Sequence, residues 1–119
     1  SLPPRPSTMD VTMRRYEFQH PPNAGAGRVV VRVQNADTVT HELILVALPE
    51  DVPPIDEQLR SEARTGVETI ATLQHRPAGS RGIFAADLAA GRYAFICFVK
   101  DPDGVSHALK GMSSEFRVV

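Results

Sequence analysis

The sequence predicts an all-β protein, a Greek-key β-sandwich with one short helix inserted mid-chain. Val29, Val31 and Val33 alternate with their neighbours in the period of a half-buried strand. The segment 42–48 is apolar on both faces, as is usual for a central strand. Turn-forming residues separate such segments along the chain, and only residues 53–64 have a good helical pattern.

The remaining strands are predicted from alternation and from the turns that bound them. A loosely alternating segment at 9–18 is followed by the proline- and glycine-rich residues 20–27, which break it. Further strands are predicted at 82–88, 92–99 and 115–119. Together, about six or seven short strands around a single helix indicate the sandwich.

The predicted helix at 53–64 has suitable residues at both ends. Two prolines suit its first turn, because the N–H that proline lacks would have no helical partner there. Acidic residues lie near its start and arginines near its end, where each charge interacts favourably with the helix dipole. These residues are Asp56, Glu57, Arg60 and Arg64, and Gly66 can end the helix.

Length and composition limit the domain organisation. A chain of 119 residues, 42% of them hydrophobic, can form one core. We predict a Pro-rich N-terminal stub or linker at residues 1–8 and a single domain at 9–119. A formal net charge of −1 offers no basic face for nucleic acid, and no apolar run approaches the length of a membrane span. We therefore expect neither nucleic-acid binding nor direct membrane insertion of this chain.

Four side chains form the chemically distinctive pattern of the sequence. The only cysteine, Cys97, lies in an apolar strand in line with Tyr93 and Phe95, and His107 and Met112 follow it. Upstream, His41 opens another apolar strand. One thiolate, two imidazoles and a thioether are the donors of a mononuclear electron-transfer copper site, with the thioether as the weak axial ligand. The alternative for Cys97 alone is a buried core thiol.

These residues resemble the cupredoxins, the plastocyanin-like blue copper proteins. The string Gly91-x-Tyr93-x-Phe95-x-Cys97, with His107 and Gly111-Met112 after it, is similar to the family's C-terminal signature. The turn from Asn35 to His41 resembles the one that precedes the first copper histidine, and residues 115–119 resemble the final strand. The resemblance covers most of 28–48 and 82–119, whereas 53–81 matches only in general layout.

The resemblance implies a copper-binding electron-transfer protein with a mononuclear type 1 (blue) site, one copper per chain, and not an enzyme. His41, Cys97 and His107 would bind copper in a plane, and Met112 would be the axial ligand. It also implies a monomer that exchanges electrons with a redox partner protein near the solvent-facing edge of His107. The expected location is periplasmic or otherwise extracytoplasmic, with an export signal or anchor upstream of the given sequence.

Three features differ from the family's usual pattern. Glu42 follows the first histidine where the family has an asparagine that pins the ligand loops, and Ser106 replaces a proline or glycine before the second. The loop from Phe98 to Ser106 is also unusually long, although loop-closure entropy grows only slowly with length. Two alternatives therefore stay open: a Cu(I) carrier or sensor without redox cycling, and a metal-free cupredoxin-like interaction module.

Other polar residues are expected to have simpler roles. His20 and His75 have no partner at ligand spacing and are predicted to be plain surface histidines. The acidic segment 50–68 is predicted to be a solvated face that could guide a basic redox partner. Ser106 beside His107 lacks the strained nucleophile turn and oxyanion loop of a hydrolase, which disfavours hydrolysis.

Overall fold

The computed structural model describes residues 5–119, which form nine strands, one α-helix and one 3₁₀ helix. The strands are β1 (Ser7–Arg14), β2 (Glu17–Gln19), β3 (Asn23–Ala24), β4 (Gly27–Asn35), β5 (His41–Leu48), β6 (Glu68–Arg76), β7 (Arg81–Leu88), β8 (Gly91–Ile96) and β9 (Ser113–Val118). The helix α1 spans Ile55–Leu59, and the 3₁₀ helix spans Ala108–Lys110. The prediction of an all-β chain with one short helix mid-chain is confirmed.

The strands form two sheets that enclose the core. The first sheet has the order β2-β1-β4-β7, and the second has the order β3-β9-β8-β5-β6. Strands β1 and β4 are parallel, whereas β5 and β8, and β8 and β9, pair antiparallel. Several connections pass from one sheet to the other, so the predicted Greek-key sandwich is confirmed.

The core lies between the inward faces of both sheets. Alternate residues of β1 and β4 meet alternate residues of β5, β8 and β9, among them Met9, Val11, Val29, Val31, Leu43, Leu45, Phe95 and Phe116. Phe95 is fully buried and stacks on Phe116 with ring centroids 4.7 Å apart. Such stacking adds about 0.5–1.5 kcal/mol to the free energy gained by burying the rings.

The predicted alternation along 92–99 is also present. Tyr93, Phe95 and Cys97 belong to the core between the sheets. Ala94 and Ile96 point to the other face of the second sheet, where they join a smaller buried cluster that includes residues of α1. The strand itself ends at Ile96, so Cys97 is the first residue of the loop that follows.

The helix is shorter than predicted, ending at Leu59 rather than Arg64. The buried side chain of Gln58 explains the early end. Its Nε2 donates to the carbonyl of Pro53 at 2.9 Å, and its Oε1 accepts the Thr65 N–H at 2.8 Å. The chain after the helix is therefore hydrogen-bonded at Thr65 to the Gln58 side chain and does not continue the helix. Among the described residues, no helix has the length and apolar character needed to cross a membrane.

One strand and one strand boundary also differ from the sequence prediction. Strand β6 was not predicted, because it lies at the edge of its sheet and is mostly exposed, without a clear apolar alternation. Strand β1 begins at Ser7, so the end of the predicted linker 1–8 lies in a strand. Residues 1–4 of that linker lie outside the described part of the chain, and the division at residues 8 and 9 stays a prediction.

Candidate metal centre

The pairing of β5 with β8 brings the first two predicted donors together. In its antiparallel register Ile44 lies opposite Ile96, so the start of β5 is beside the end of β8. His41 is the first residue of β5, and Cys97 directly follows β8. His41 therefore begins one strand, Cys97 follows the end of the neighbouring strand, and both residues lie at the same end of the sandwich.

The loop after Cys97 returns His107 to this end. The Nδ1 atoms of His41 and His107 are 3.1 Å apart, and the Sγ of Cys97 lies 3.7 Å from the first and 3.6 Å from the second. His41 and Cys97 are fully buried, and His107 is 1% exposed. Three soft or borderline donor atoms thus converge at one buried point, as the sequence predicted for these three residues.

Each imidazole is held from behind by a carboxylate. The Nε2 of His41 lies 2.9 Å from the Oδ2 of Asp37, and the Nε2 of His107 lies 2.7 Å from the Oδ1 of Asp101. An ionised carboxylate only accepts hydrogen bonds, so each Nε2 must carry a proton and donate it. In the neutral rings, both Nδ1 lone pairs then face the thiol and one another.

This arrangement fits a metal cation. Two Nδ1 lone pairs at 3.1 Å repel each other unless a proton or a metal ion lies between them. Burial, the largest influence, lowers the pKa of His41 in spite of the Asp37 carboxylate. A proton between the two Nδ1 atoms is therefore disfavoured. Imidazole, imidazole and thiolate are a donor set suited to copper or zinc and not to calcium or magnesium.

The carboxylates themselves are ionised. Burial pushes the pKa of Asp37 upward, but hydrogen bonds from His41, Thr38 and Arg15 outweigh it and leave the pKa well below its usual range. Lys110 and Tyr16 likewise hold the pKa of Asp101 well below its usual range. Burial raises the pKa of the Cys97 thiol, so this thiol would have to lose a proton in order to bind a metal.

Met112 lies in the same buried cluster as Cys97 and is fully buried. Its carbonyl accepts the Cys97 N–H at 3.2 Å, and its own N–H donates to the carbonyl of His107 at 3.0 Å. Gly111, just before it, has a φ of 105°, a value that a glycine adopts without strain. The glycine turn thus ends the 3₁₀ helix and brings the methionine back next to the cysteine backbone.

Glu42 pins the two ligand segments to each other, the role that asparagine has in the family pattern. It is 5% exposed, and its Oε2 accepts the Phe98 N–H at 3.1 Å. Its own N–H points to the Sγ of Cys97 at 3.5 Å. The residue that departs from the pattern in sequence therefore supplies an equivalent link, with a carboxylate in place of an amide.

The prediction that an edge of the His107 ring faces solvent is wrong. Its ring is 1% exposed, because the Asp101 carboxylate covers Nε2 and the Tyr16 ring packs edge-on against it at 5.5 Å. The solvent-facing apolar residues of this end are Phe98, Val105 and Leu109 instead. Leu109, in the 3₁₀ helix, is the most exposed of them at 54%.

The two other histidines also differ from one another. His75 has a largely exposed side chain, as predicted, and lies 3.9 Å from the buried carboxylate of Glu42. His20 is not a plain surface residue, because its ring packs edge-on against Phe95 and Phe116. Its two nitrogens lie 2.6 Å from the Pro21 carbonyl and 2.7 Å from the Ser114 hydroxyl, so neither is free to bind a metal.

No protein-family model matches the sequence, and a search of the curated proteins finds no match. Solved structures do match. Reduced auracyanin from Roseiflexus castenholzii has a TM-score of 0.61 and 22% identity, covering 94% of this chain and 96% of its own. Auracyanin A, a "blue" copper protein of Chloroflexus aurantiacus, has a TM-score of 0.64 and 22% identity, covering 97% and 100%. Rusticyanin from Thiobacillus ferrooxidans has a TM-score of 0.64 and 14% identity, covering 98% and 79%.

The fold is that of the cupredoxins. The resemblance carried by the residues around Cys97 and His107 is therefore confirmed for the architecture of the chain. The match extends over the whole sequence, including the segment 53–81, which resembles the family pattern only in general layout.

Glu42→Ala is expected to destabilise the protein by about 1–3 kcal/mol, because the Phe98 N–H would lose its buried acceptor. Glu42→Gln keeps an acceptor oxygen and should cost less. Urea unfolding followed by circular dichroism measures both. Glu62→Ala, at an exposed position, is the control and should change the free energy of unfolding by no more than about 0.5 kcal/mol. A Glu42→Ala protein as stable as the parent would show that the link does not matter.

Proposed function

We propose that this chain is a copper-binding electron-transfer protein with a mononuclear type 1 site for one copper ion. The observation that carries the proposal is the meeting of one thiol and two imidazole Nδ1 atoms at a buried point, with each Nε2 already bonded to a carboxylate. Bound copper would supply a one-electron couple between Cu(I) and Cu(II). The chain's own residues supply the donors, their orientation and the exclusion of water.

The four predicted residues have distinct roles in this proposal. His41, Cys97 and His107 are the strong ligands, since their donor atoms converge. Met112 would supply the weak thioether donor, an assignment supported by its burial beside Cys97 and by the family pattern. A thiolate favours Cu(I) and imidazole accepts both oxidation states, so the set suits an ion that alternates between them.

The scaffold suits a site that changes little during electron exchange. His41 begins β5 and Cys97 directly follows its neighbour β8, so the pairing of these strands fixes two of the donors. The third donor, His107, is fixed by the hydrogen bonds of its loop and by Asp101. A site that holds the ligands in one arrangement for both oxidation states needs little reorganisation. The apolar surroundings, which include Phe95 and Met112, keep water away from the donors and favour a high reduction potential.

Several further features of the protein belong to the proposal. We expect an electron carrier rather than an enzyme, because four protein donors leave no open position for a substrate. The partner is a redox protein that docks at the exposed apolar residues of the site end, and the carrier is a monomer. The proposed location is periplasmic or otherwise extracytoplasmic. A Cu(I) carrier or an unmetallated interaction module would have the same fold but would fail the tests below.

Addition of Cu(II) to the purified protein should give one bound copper per chain and an intense thiolate-to-copper charge-transfer band. Cys97→Ser should lose this band and keep the fold, because serine supplies no soft donor. Visible absorption and circular dichroism measure the two effects. Zn(II) is the control, since a closed-shell ion can occupy the donors without the colour. A pale Cu(II) complex that is insensitive to Cys97→Ser would exclude the electron-transfer function.

Met112→Leu should keep copper and raise the reduction potential, because the oxidised ion loses a weak donor. His41→Ala should instead weaken copper binding strongly, since it removes one of the converging nitrogens. Competition with a chelator of known affinity and protein-film voltammetry separate the two outcomes. Equal losses of affinity from both substitutions would contradict the axial role of Met112.

Leu109→Asp should slow electron exchange and leave the copper spectrum unchanged. The reason is that a charge placed in a small apolar docking patch opposes contact with the partner without touching a ligand. Stopped-flow mixing with a redox partner gives the rate. Val119→Asp is the control, because Val119 is 69% exposed and follows β9 at the far end of its pairing with β8. If Leu109→Asp has no effect and variants of the acidic segment 50–68 slow exchange, the docking surface lies elsewhere.

A further inference from the structure

We propose that Asp101 is a positioning residue for the metal ligand His107, and that the added length of the ligand loop is what supplies it. The inference rests on the proposed copper site at His41, Cys97 and His107. It concerns the feature that most distinguishes this chain from the family pattern, the long segment between the cysteine and the second histidine. It predicts that the segment lowers the reduction potential of the site through one carboxylate.

The ligand loop is an ordered hairpin. Lys100 and Ser106 form an antiparallel bridge, and the N–H of His107 donates to the carbonyl of Val99 at 2.8 Å. At the tip, the Asp101 N–H donates to the Val105 carbonyl at 3.0 Å, and the Gly104 N–H donates to the Asp101 carbonyl at 2.8 Å. The backbone of the added residues is thus bonded to itself, which fixes the position of Asp101 relative to His107.

The side chain of Asp101 is bonded on both of its oxygens. Oδ1 lies 2.7 Å from the Nε2 of His107. Oδ2 accepts the hydroxyl of Tyr16 at 2.7 Å and the Nζ of Lys110 at 2.8 Å. These partners come from the turn between β1 and β2 and from the 3₁₀ helix, so the carboxylate joins three separate segments. Its side chain is only 12% exposed, and the contact with His107 is shielded from water.

The bond to a carboxylate has two effects on His107. It fixes the tautomer with the proton on Nε2 and holds the ring with Nδ1 toward Cys97. It also increases the basicity of Nδ1, as carboxylate partners do for metal-bound histidines. His41 has a corresponding contact with Asp37, but that acid lies in the short turn before β5, so it needs no added loop.

The charge of Asp101 should act on the metal as well. A negative charge held close to the ligand favours the more positive oxidised ion and therefore lowers the reduction potential. Lys110 offsets part of this charge and should raise the potential. Removal of each side chain's charge is thus expected to shift the potential in opposite directions, a result that a general loss of structure would not give.

Asp103 offers a matched control in the same hairpin. Its carboxylate accepts a hydrogen bond from Lys110 at 2.6 Å, and Asp101 also bonds to Lys110. Of the two acids, only Asp101 is bonded to His107. Asp103→Asn removes the same unit charge from the same loop while leaving the contact with His107 in place. The side chain of Asp103 is 54% exposed, so solvent screens its charge more strongly than that of Asp101.

The experiment compares the copper-loaded parent with Asp101→Asn, Lys110→Gln and Asp103→Asn. Asp101→Asn should shift the reduction potential upward and lower copper affinity by about 10- to 100-fold, the usual effect of losing such a partner. Lys110→Gln should shift the potential downward, and Asp103→Asn should shift it far less than Asp101→Asn. In the diamagnetic Cu(I) protein, NMR should find the His107 Nε2 proton slowly exchanging in the parent and rapidly exchanging in Asp101→Asn.

The outcomes separate this inference from the proposed function. A parent without the copper–thiolate band would overturn both. A blue parent in which Asp101→Asn and Asp103→Asn behave alike would overturn the inference and leave the copper site standing. If Asp101→Asn does not fold, NMR of the parent decides, because a slowly exchanging His107 Nε2 proton supports the inference and a rapidly exchanging one overturns it.

Discussion

The antiparallel pairing of β5 with β8 is the constraint on which the candidate site depends. Its register sets His41 beside Cys97, and both strands lie inside the five-stranded sheet with a neighbour on each side. Interior strands open only when most of the structure opens, so this donor pair is held with much of the stability of the whole domain. The donors from the loop are added to an arrangement that the sheet has already fixed.

Hydrogen bonds of buried polar side chains fix the loop that carries His107, as strand pairing fixes His41 and Cys97. Glu42 joins β5 to the residue after Cys97, and Asp101 joins the loop to His107 and to the first sheet's turn through Tyr16. Inside a protein such bonds are stronger than in water when every member is satisfied. The described buried side-chain nitrogens and oxygens all have partners, so these links add rigidity without an unpaired group.

The sequence indicated the sandwich and three converging donors, because alternation and ligand chemistry are local signals. It did not indicate the contacts that depend on distant partners. The role of Asp101 was among these, since its bond to Tyr16 joins residues that are far apart in the chain. The helix was predicted too long, because a helical residue pattern does not show that the Gln58 side chain accepts the Thr65 N–H and so bonds the chain after the helix. An acid a few residues before each candidate ligand histidine was the available clue to Asp37 and Asp101.

The burial of Cys97 also affects the reactivity of its thiol. The thiol is fully shielded, the sequence holds no second cysteine, and burial raises its pKa. Oxidants and disulfides react with accessible thiolates, whereas Cys97 is buried and its raised pKa disfavours the thiolate form. Burial therefore slows the attack of oxidants and disulfides on this thiol, so that folding itself gives the thiol chemical protection.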